Sequence, residues 1–470
     1  MPLKNRKKNY PHYETVHMRD FRDMVENSAK NFGDSYALTF KKKPSDKEMS
    51  HYTYSQSRDY IRDIGTEFIS MGMRGKTVAI IGEASPEWVF TYFSLMACGA
   101  ITVPIDKELP EPDMLSIIRT AKCEYAVFSS VAENKIAAIR GEYPELTGLV
   151  EWGGTTAEYA RSIDDVRAAG KARYLAGDNS YYDYEIDPEA LASIVFTSGT
   201  TGKGKGVMLS QKNICSDMEQ GIYNFLITPR TLCTLPPHHT FCSTVNLLGH
   251  YCQGCNIYIS SGLRYIMGEL KEFKPTHLIL VPLFVETFYK RIMATAEKQG
   301  KLGALKALIK ISNGLRKVGI DLRRTLFRSV LDNFGGDLEM IICGGAALNQ
   351  NIIDFFEGIG IVILNGYGIT ECSPGVTTNT MENHKSGSVG RPLPCNEIKI
   401  NDPDEDGVGE IYVRGSNVMR GYYKDPEATA AAFDNGWFKT GDYGRIDEDG
   451  FLFFVGRKKN LIITNNGKNV

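Results

Sequence analysis

The sequence predicts an α/β protein, with a large domain of two mostly parallel, helix-covered sheets and a smaller β-barrel-like subdomain. The first observation is a series of short, almost continuously apolar runs that end in Gly, Ser or Pro, as strands buried on both faces do. The second is that helical patterns separate these runs from about Tyr36 onward. The runs, in chain order, are TVAIIGEA, GAITVPID, CEYAVFSS, LASIVFTSG, THLILVPL, LEMIICGG and IVILNGYG.

The C-terminal part of the chain has a different pattern, which is the third observation. From about Ser386, short alternating strands and turns follow one another, and DEDG and DNG are turn signals. We therefore expect a β-rich subdomain over about residues 376–456, inside a large domain that spans residues 1–456. Residues 457–470 are expected to form a hinge and the start of a further domain.

The composition is that of a globular protein with more than one core, since 42% of the 470 residues are hydrophobic and 23% are charged. A net charge of −2 does not favour a strongly basic surface for nucleic acid. We see no secretory signal and no membrane-spanning run, and we expect a soluble, cytoplasmic protein. The ten cysteines are interpreted as reduced thiols. The CxxC pair Cys252 and Cys255 is interpreted as structural, because no second ligand pair follows at zinc-site spacing.

One stretch, Lys290–Arg328, carries eleven Lys or Arg residues against two acids, with leucines and isoleucines at near-helical spacing. A pair of solvated helices is the favoured interpretation, because charged runs usually lie in water. Peripheral contact with an anionic membrane, or with a phosphorylated ligand, stays open as the alternative.

The stretch FTSGTTGKGKGVMLS, Phe196–Ser210, concentrates glycines, hydroxyl groups and lysines. A strand candidate, LASIVF, precedes it, and Ser210 is expected to cap the helix that follows. The apolar positions of that helix are Ile214, Met218, Ile222 and Phe225. We therefore expect the glycines to lie between a strand and a helix, in a ligand loop and not in a domain linker.

Phosphate suits this loop, because glycine N–H groups can turn toward an anion, hydroxyls donate hydrogen bonds and lysine offsets charge. Gly199–Lys205 even fits the GxxxxGK pattern of P-loop NTPases. A P-loop then needs Ser or Thr to hold magnesium, whereas Gly206 follows here. The P-loop interpretation therefore fails at one defined position.

The stretch does resemble the phosphate loop of the adenylate-forming superfamily, which includes acyl-CoA synthetases, luciferases and peptide-synthetase adenylation domains. Thr197–Gly202, Lys205 and Gly206 match the family pattern, whereas Gly204 replaces a proline and predicts a more mobile loop. The resemblance implies ATP contacts from Thr197, Ser198, Gly199, Thr200, Thr201, Gly202 and Lys205.

A second segment, NGYGITE at Asn365–Glu371, resembles the YGxTE motif of the same family. The resemblance implies that Tyr367 packs on adenine, that Thr370 meets phosphate, and that Mg²⁺ binds at Glu371 and Thr200. An aromatic face for a base and a hard carboxylate for magnesium are what an ATP site needs. The implied nucleotide contacts are Asn365, Gly366, Tyr367, Gly368, Thr370 and Glu371.

A third segment, which begins at WFKTGDYGRI and runs to the end of the chain, is similar to the family's ribose and hinge motifs. The resemblance gives Asp442 a contact with the ribose hydroxyls and Arg457 a second contact with ribose or phosphate. A carboxylate that accepts two neighbouring hydroxyls is a sound geometry for a nucleoside. Lys459 matches the hinge about which the family's small C-terminal domain rotates.

Two more segments resemble those that line the family's acyl pocket. CGGAAL, Cys343–Leu348, looks like the segment shared by the adenine and acyl pockets, to which it contributes Gly345, Ala346 and Ala347. LPPHH ends in His239, which matches the residue that closes the acyl site. Without the resemblance, an ordinary histidine would be the better interpretation of His239.

The resemblance implies that the chain activates a carboxylic acid with ATP and Mg²⁺, giving acyl-AMP and pyrophosphate, and then transfers the acyl group to CoA. The implied catalytic residues are Lys205, Thr200, His239 and Glu371. The hinge segment and the basic stretch look most like the long-chain fatty acid–CoA ligases, so a fatty acid is the favoured substrate. A carrier protein as acceptor, or a nucleotide- or acyl-adenylate-binding protein with little catalysis, stays open.

Relatives of this kind continue past the hinge for roughly the length of a small domain, which includes a lysine that contacts the carboxylate and the α-phosphate. The sequence printed here ends at Val470, so we expect a large domain with a short piece of the small one. A truncated ligase, a binding protein and an enzyme completed by a separate small domain are the three alternatives.

Overall fold

The computed structural model describes residues 17–154, 156–197, 204–222 and 229–458. Each of the seven apolar runs predicted as strands contains a strand. Their side chains are buried because helices cover both faces of the sheets, as in strands β12 (His277–Leu280) and β13 (Met340–Cys343), in which every residue is buried.

The strands of the described residues share three sheets. In chain order they are β1 (Tyr36–Phe40), β2 (Ser50–Thr53), β3 (Thr77–Ile81), β4 (Ile101–Ile105), β5 (Tyr125–Ser129), β6 (Gly148–Trp152), β7 (Arg161–Ser162), β8 (Leu191–Thr197), β9 (Lys205–Ser210), β10 (Arg230–Cys233), β11 (Asn256–Ile259), β12, β13, β14 (Val362–Gly368), β15 (Gly375–Thr378), β16 (Arg391–Pro392), β17 (Asn396–Asn401), β18 (Gly409–Gly415), β19 (Gly421–Tyr422), β20 (Phe433–Asp434), β21 (Trp437–Ile446) and β22 (Leu452–Arg457).

The helices cover these sheets. In chain order they are α1 (Phe21–Phe32), α2 (Tyr54–Ser70), α3 (Pro86–Ala97), α4 (Glu111–Ala121), α5 (Glu133–Glu142), α6 (Ile163–Leu175), α7 (Ser180–Asp183), α8 (Gln211–Ile222), α9 (Ile266–Phe273), α10 (Pro282–Lys298), α11 (Leu302–Lys317), α12 (Arg323–Leu326), α13 (Arg328–Leu331), α14 (Gln350–Ile359) and α15 (Pro426–Ala432). Short 3₁₀ turns lie at Ser130–Ala132, Asp332–Phe334 and Thr370–Cys372, and Phe241–Gly249 forms a wider π-helix.

The first large sheet has eight strands in the order β19-β9-β8-β4-β3-β5-β6-β7. The strands from β8 to β7 are parallel to their neighbours, whereas β9 and β19 are added in antiparallel fashion at one edge. The second sheet has nine strands in the order β16-β15-β14-β13-β12-β10-β11-β1-β2. Its centre is parallel, and β2, β15 and β16 make antiparallel edges. The prediction of two mostly parallel sheets is confirmed.

The third sheet is antiparallel and has five strands, in the order β17-β18-β21-β20, with β22 paired to β21. Within the predicted β-rich subdomain, β15 and β16 belong to the nine-stranded sheet and β19 to the eight-stranded sheet. Among the described strands no pairing closes the third sheet into a barrel. The barrel-like character and the domain boundaries therefore stay predictions.

Helix α3 shows how the two large sheets are joined. Every residue of this helix except Glu87 is buried, and Trp88, Phe90 and Phe93 belong to a core cluster that reaches all three sheets. A helix that is apolar on all sides must be covered on all sides. A second cluster lies under α9 to α14, and a third lies under α4 and α5.

The remaining composition-based predictions concern thiols and membranes. None of the ten cysteines, all of which are described, is in a disulfide. Cys252 and Cys255 are buried, and burial raises the pKa of the Cys252 thiol to about 12, as expected for a structural residue. Among the described helices, none combines the length and apolar composition that crossing a bilayer requires.

Candidate active site

The glycine-rich loop lies between two antiparallel strands. Thr197, the last residue of β8, is paired with Lys205, the first residue of β9, so the loop joins the ends of a β-hairpin. The glycines lie between strand β8 and helix α8, as predicted, but a further strand that was not predicted comes before the helix, because Val207, Met208 and Leu209 pair with β8. Residues 198–203, which hold the predicted contacts Ser198, Gly199, Thr200, Thr201 and Gly202, lie outside the described residues.

The helix that follows β9 begins as predicted. The Ser210 hydroxyl oxygen accepts a hydrogen bond from the Asn213 N–H at 3.1 Å, and the Asn213 side chain accepts one from the Ser210 N–H at 2.9 Å. This reciprocal pair caps the helix N-terminus. The predicted apolar positions Ile214 and Met218 are buried, whereas the side chain of Ile222 and all of Phe225 lie outside the described part of the chain.

The structure gives a reason for glycine at position 206, where a P-loop would have Ser or Thr. A Cβ atom at Gly206 would lie 2.9 Å from Ile194 Cγ2 and 3.3 Å from Tyr423 Cβ. The Gly206 carbonyl also accepts the N–H of Tyr423 at 2.7 Å. A serine or threonine, which a P-loop needs here, would therefore collide with the neighbouring strands.

Lys205 and Glu371, two predicted catalytic residues, meet at Tyr422. The Lys205 ammonium lies 4.7 Å from the centre of the Tyr422 ring, and the Tyr422 hydroxyl donates a hydrogen bond to Glu371 Oε1 at 3.0 Å. Strand β19 supplies Tyr422 and pairs with β9, which supplies Lys205. Burial raises the pKa of Tyr422, and the adjacent Glu371 carboxylate raises it further, so the phenol stays a donor.

The turn that carries Glu371 is held in place by its backbone. Thr370–Cys372 forms one 3₁₀ turn directly after β14, so Thr370 and Glu371 leave the end of a central strand. The Glu371 carbonyl accepts the N–H of Met419 at 2.8 Å, which ties the turn to the segment before β19. In this way the strand end, the turn and Tyr422 form one unit.

Asp217 on α8 anchors the residues that follow this turn, and no sequence signal pointed to it. Its Oδ1 accepts hydrogen bonds from the Gly375 N–H at 2.9 Å and from Asn417 Nδ2 at 3.0 Å. Asn417 Nδ2 also donates to the Gly375 carbonyl at 2.7 Å, and the Ser373 hydroxyl donates to the Asn417 carbonyl at 2.8 Å. Burial raises the pKa of the Asp217 carboxyl to about 7.

Tyr367 and Asp442, predicted to contact adenine and ribose, are hydrogen-bonded to each other. The Tyr367 hydroxyl donates to Asp442 Oδ2 at 2.7 Å, and the Tyr367 ring centre lies 5.8 Å from that of Phe454. Arg457 Nε lies 3.6 Å from Asp442 Oδ1, because the two residues are paired across β21 and β22. Burial raises the pKa of Asp442, whereas the Tyr367 hydroxyl and Arg457 lower it. Since Asp442 is only 3% exposed, a nucleoside hydroxyl must displace one of these partners to reach it.

The other predicted nucleotide contacts lie at one edge of the nine-stranded sheet. Cys343 at the end of β13 is paired with Asn365 in β14, so Gly345, Ala346 and Ala347 emerge beside the Asn365–Gly368 segment. These three residues are exposed, and Gly345 has a φ of +85°, which favours glycine. Gly366 and Gly368 pair with β15, and a Cβ at Gly368 would lie 2.3 Å from the Pro374 carbonyl oxygen.

His239 lies just before the π-helix, two residues from Phe241. Its carbonyl accepts the N–H groups of Cys242 and Ser243, both at 2.9 Å. Phe241, two residues after LPPHH, packs on Gly344 of CGGAAL, where an added Cβ would lie 3.1 Å from the Phe241 ring, so the chain following LPPHH contacts CGGAAL. The His238 ring contacts the His239 ring at a tilt, with the ring centres 4.2 Å apart, and burial together with His239 lowers the pKa of His238 to about 4.

The residues can be tested for a fit to magnesium. In the described part of the chain, no cluster of three or more His, Cys, Asp or Glu side chains is arranged to hold a metal ion. Glu371 is half-buried and forms no ion pair with a described basic residue. One such carboxylate suits Mg²⁺, which is usually held by one or two carboxylates together with substrate phosphates and water. Thr200, the second predicted ligand, and the hinge residue Lys459 lie outside the described residues.

The sequence profile of AMP-binding enzymes matches residues 25–423 of this chain. The chain belongs to the AMP-binding enzyme family. It is 29% identical over 445 residues to the long-chain-fatty-acid–CoA ligase FadD15 of Mycobacterium tuberculosis, which covers 89% of this chain and 71% of that protein. It is 28% identical to the chloroplastic long-chain-fatty-acid–[acyl-carrier-protein] ligase AEE15 of Arabidopsis thaliana, which covers 95% of this chain and 71% of the relative.

Solved structures show the same fold. The anthranilate–CoA ligase AuaEII in complex with anthranoyl-AMP has a TM-score of 0.77 at 21% identity, covering 99% of this chain and 82% of that one. The inhibitor-bound N-terminal domain of FACL13 from Mycobacterium tuberculosis has a TM-score of 0.72 at 22% identity. The match covers 94% of this chain and 100% of that one. The predicted resemblance to adenylate-forming enzymes and the predicted α/β fold are confirmed.

Proposed function

We propose that this AMP-binding enzyme activates a carboxylic acid with ATP, releasing pyrophosphate, and then transfers the acyl group from acyl-AMP to the thiol of CoA. The observation that carries the proposal is the meeting of Lys205 and Glu371 on Tyr422 at the base of the glycine-rich hairpin. A cation and an acid that contact the same tyrosine suit a polyphosphate with its counter-ion. The family match and the ligase names of both curated relatives support this function.

In the first step, a carboxylate oxygen of the substrate attacks the α-phosphorus of ATP and pyrophosphate leaves. Such chemistry needs alignment and charge neutralisation, and no protein nucleophile. We assign Lys205 to the phosphate oxygens and Glu371 to Mg²⁺, which when bound would offset the charge of the leaving pyrophosphate. Tyr422 contacts both side chains, and we assign to Thr197 and Thr200 hydrogen bonds to the phosphates.

The nucleoside is assigned to the edge formed by the ends of β13 and β14. Tyr367 and the exposed segment Gly345–Ala347 are proposed to flank adenine, and Asp442 and Arg457 to bind ribose. Because Tyr367 and Asp442 are hydrogen-bonded to each other, binding of the nucleotide would replace that bond with contacts to the ligand.

The acid is proposed to be a fatty acid, because both curated relatives are named as long-chain fatty acid ligases. His239, together with Phe241 packed on Gly344, would border the acyl pocket. CoA is the favoured acceptor. An acyl carrier protein is the second candidate, since AEE15 is named for that acceptor. A cytoplasmic location is part of the proposal.

The decisive experiment is exchange of labelled pyrophosphate into ATP, measured with a panel of acids from acetate to palmitate and with aromatic acids. We expect exchange that depends on one class of acid. Lys205→Ala and Glu371→Ala should each lower that exchange by about 100-fold or more, as loss of one charge-stabilising group does. Lys212→Ala is the matched control, because Lys212 follows the opposite end of β9 and pairs with Glu189 on the surface.

Two results would contradict the proposal. Phosphate release from ATP at full rate without any acid would indicate an NTPase. Unchanged acid-dependent exchange in both variants would remove Lys205 and Glu371 from the site. Calorimetry with ATP on the same variants separates loss of nucleotide binding from loss of the chemical step.

A further inference from the structure

The surface of helix α11 and the segment after it exposes large apolar side chains at high local density. Thirteen large apolar side chains are exposed among the described residues, and five of them fall within residues 311–326. Val318 is 73% exposed and Ile311 is 58% exposed. The other three are Ile320, Leu322 and Leu326. Apolar exposure concentrated in this way usually marks a surface that contacts something else.

The inner face of α11 is fully used by the fold. Leu305 and Ser312 are buried, and Ile309 packs against α14, where a Cβ added at Gly358 would lie 2.8 Å from Ile309 Cγ2. The exposed apolar residues therefore do not point into the core. Ile311 lies on the outer face of the helix, Val318 caps its C-terminal end, and the other three follow in the segment after it.

The outer face of α11 is divided into two strips. At about 100° per residue, Lys306, Lys310 and Lys317 fall on one strip, and Ile311 and Val318 fall on the strip beside it. All five side chains are exposed. A helix that places lysines beside an apolar strip on its solvent side has the pattern of an interfacial helix.

The lysines of this face lack acidic partners among the described residues. No carboxylate in that part of the chain forms an ion pair with Lys306, Lys310 or Lys317. Nearby basic residues differ, since Arg323 is bound to Asp321 and Arg328 lies 3.6 Å from Asp332. The positive charge of the α11 strip is therefore not neutralised locally.

We propose that this surface docks on an anionic lipid membrane. We define the α11 surface by Lys306, Lys310, Ile311, Lys317, Val318, Ile320 and Leu322. The lysines complement the negative headgroups, and the apolar strip enters the boundary between headgroups and acyl chains. The proposal is independent of the function proposed above, because it needs neither ATP nor an acid.

A second copy of the chain fits this surface less well than a membrane does. In a two-fold dimer the same patch faces itself. Depending on the direction of the axis, the lysine strip of one copy would then face either the lysine strip or the apolar strip of the other, and neither supplies the negative charge that the lysines lack. The charge of the surface therefore favours a negative partner that also offers an apolar layer.

Vesicle co-sedimentation of the whole chain tests the proposal. Vesicles of phosphatidylcholine alone are compared with vesicles that contain about 30 mol % phosphatidylserine, without nucleotide. We expect binding to the anionic vesicles, weakened by added salt. The triple variant Lys306→Gln, Lys310→Gln, Lys317→Gln should lower the partition coefficient by about 100-fold, since each basic residue near such a surface contributes a factor of about five.

The apolar strip and the position of the charges are tested with two further variants. Ile311→Ser combined with Val318→Ser should weaken binding roughly tenfold or more, because both side chains would lose burial in the lipid. The matched control changes three exposed lysines elsewhere, Lys30, Lys47 and Lys171, to Gln and should leave most of the binding.

Three outcomes would overturn the proposal. Equal binding of the unaltered chain to both kinds of vesicle would exclude recognition of anionic lipid. An equal loss of binding in the α11 variant and in the control variant would show only a dependence on total charge. A concentration-dependent dimer that the Ile311 and Val318 changes abolish, without vesicle binding, would assign the surface to a second copy.

Discussion

Replacing Asp217 by asparagine should make the protein lose less stability as pH rises, even though the carboxylate accepts two hydrogen bonds. Burial raises the pKa of this group from 3.8 to about 7 in the folded state. Between these values the folded protein keeps a proton that the unfolded chain releases. The free energy of unfolding therefore falls as pH rises from about 4 to about 7, and it levels off above that pH.

The size of the effect follows from the same pKa shift. Between about pH 5.5 and about pH 8, the free energy of unfolding falls only until the pH reaches the folded-state pKa of about 7. That interval is about 1.5 pH units, and each unit corresponds to about 1.4 kcal/mol. The unaltered protein should therefore lose about 2 kcal/mol at this site. Asp217→Asn keeps one carbonyl oxygen for Gly375 and Asn417 but cannot ionise, so it avoids this loss.

The assay compares, at two pH values, the difference in thermal unfolding midpoint between the variant and the unaltered protein. The midpoint of Asp217→Asn minus that of the unaltered protein is measured at about pH 5.5 and about pH 8. For a chain of this length, about 2 kcal/mol corresponds to about 2 °C, and the difference should move by that amount in favour of the variant. Asp113→Asn, at an exposed position of α4, is the control. A difference that is the same at both pH values would refute the reasoning.

Three further changes probe other parts of the fold and site. Tyr422→Phe removes the hydrogen bond to Glu371 while keeping the ring. We expect kcat/KM for ATP to fall about tenfold, with little change in thermal midpoint. An unchanged kcat/KM would contradict the role of the hydroxyl. Gly206→Ser should destabilise the protein by about 1–3 kcal/mol through contact with Ile194, measured by urea unfolding, and equal stability would show that the strands can move apart. Burial lowers the pKa of His250 from 6.5 to about 4, so stability is lost as pH falls below about 6.5. His250→Gln should then gain about 2 kcal/mol relative to the unaltered protein between about pH 7.5 and about pH 5, and no gain would show that the ring is not held neutral.

Seven strands of the two large sheets could be predicted because their signal is local. Runs such as THLILVPL and LEMIICGG are apolar at nearly every position, which is sufficient to indicate burial on both faces. The cap at Ser210 could also be predicted, since a cap involves residues three positions apart. Strand β9 could not be, because KGVMLS is short and becomes a strand only through its pairing with β8.

The residues that assemble the site were harder to predict. Motifs identified Lys205 and Glu371, but Tyr422, which joins them, is 51 residues from Glu371 and has no spacing pattern of its own. Asp217 lies 200 residues from Asn417, and an aspartate in an amphipathic helix ordinarily indicates a solvated position. Contacts of this range depend on the tertiary fold and leave no periodic trace in the sequence.

The pairing of β19 with β9 has a consequence for the nascent chain. Strand β9 lies at the edge of the eight-stranded sheet until Gly421 and Tyr422 emerge and cover it. During synthesis, its backbone N–H and C=O groups thus stay open to pairing with other chains over more than 200 residues of elongation. The step that shields this edge also brings the Tyr422 ring beneath Lys205. Protection from aggregation and completion of the proposed phosphate site are therefore expected in the same folding event.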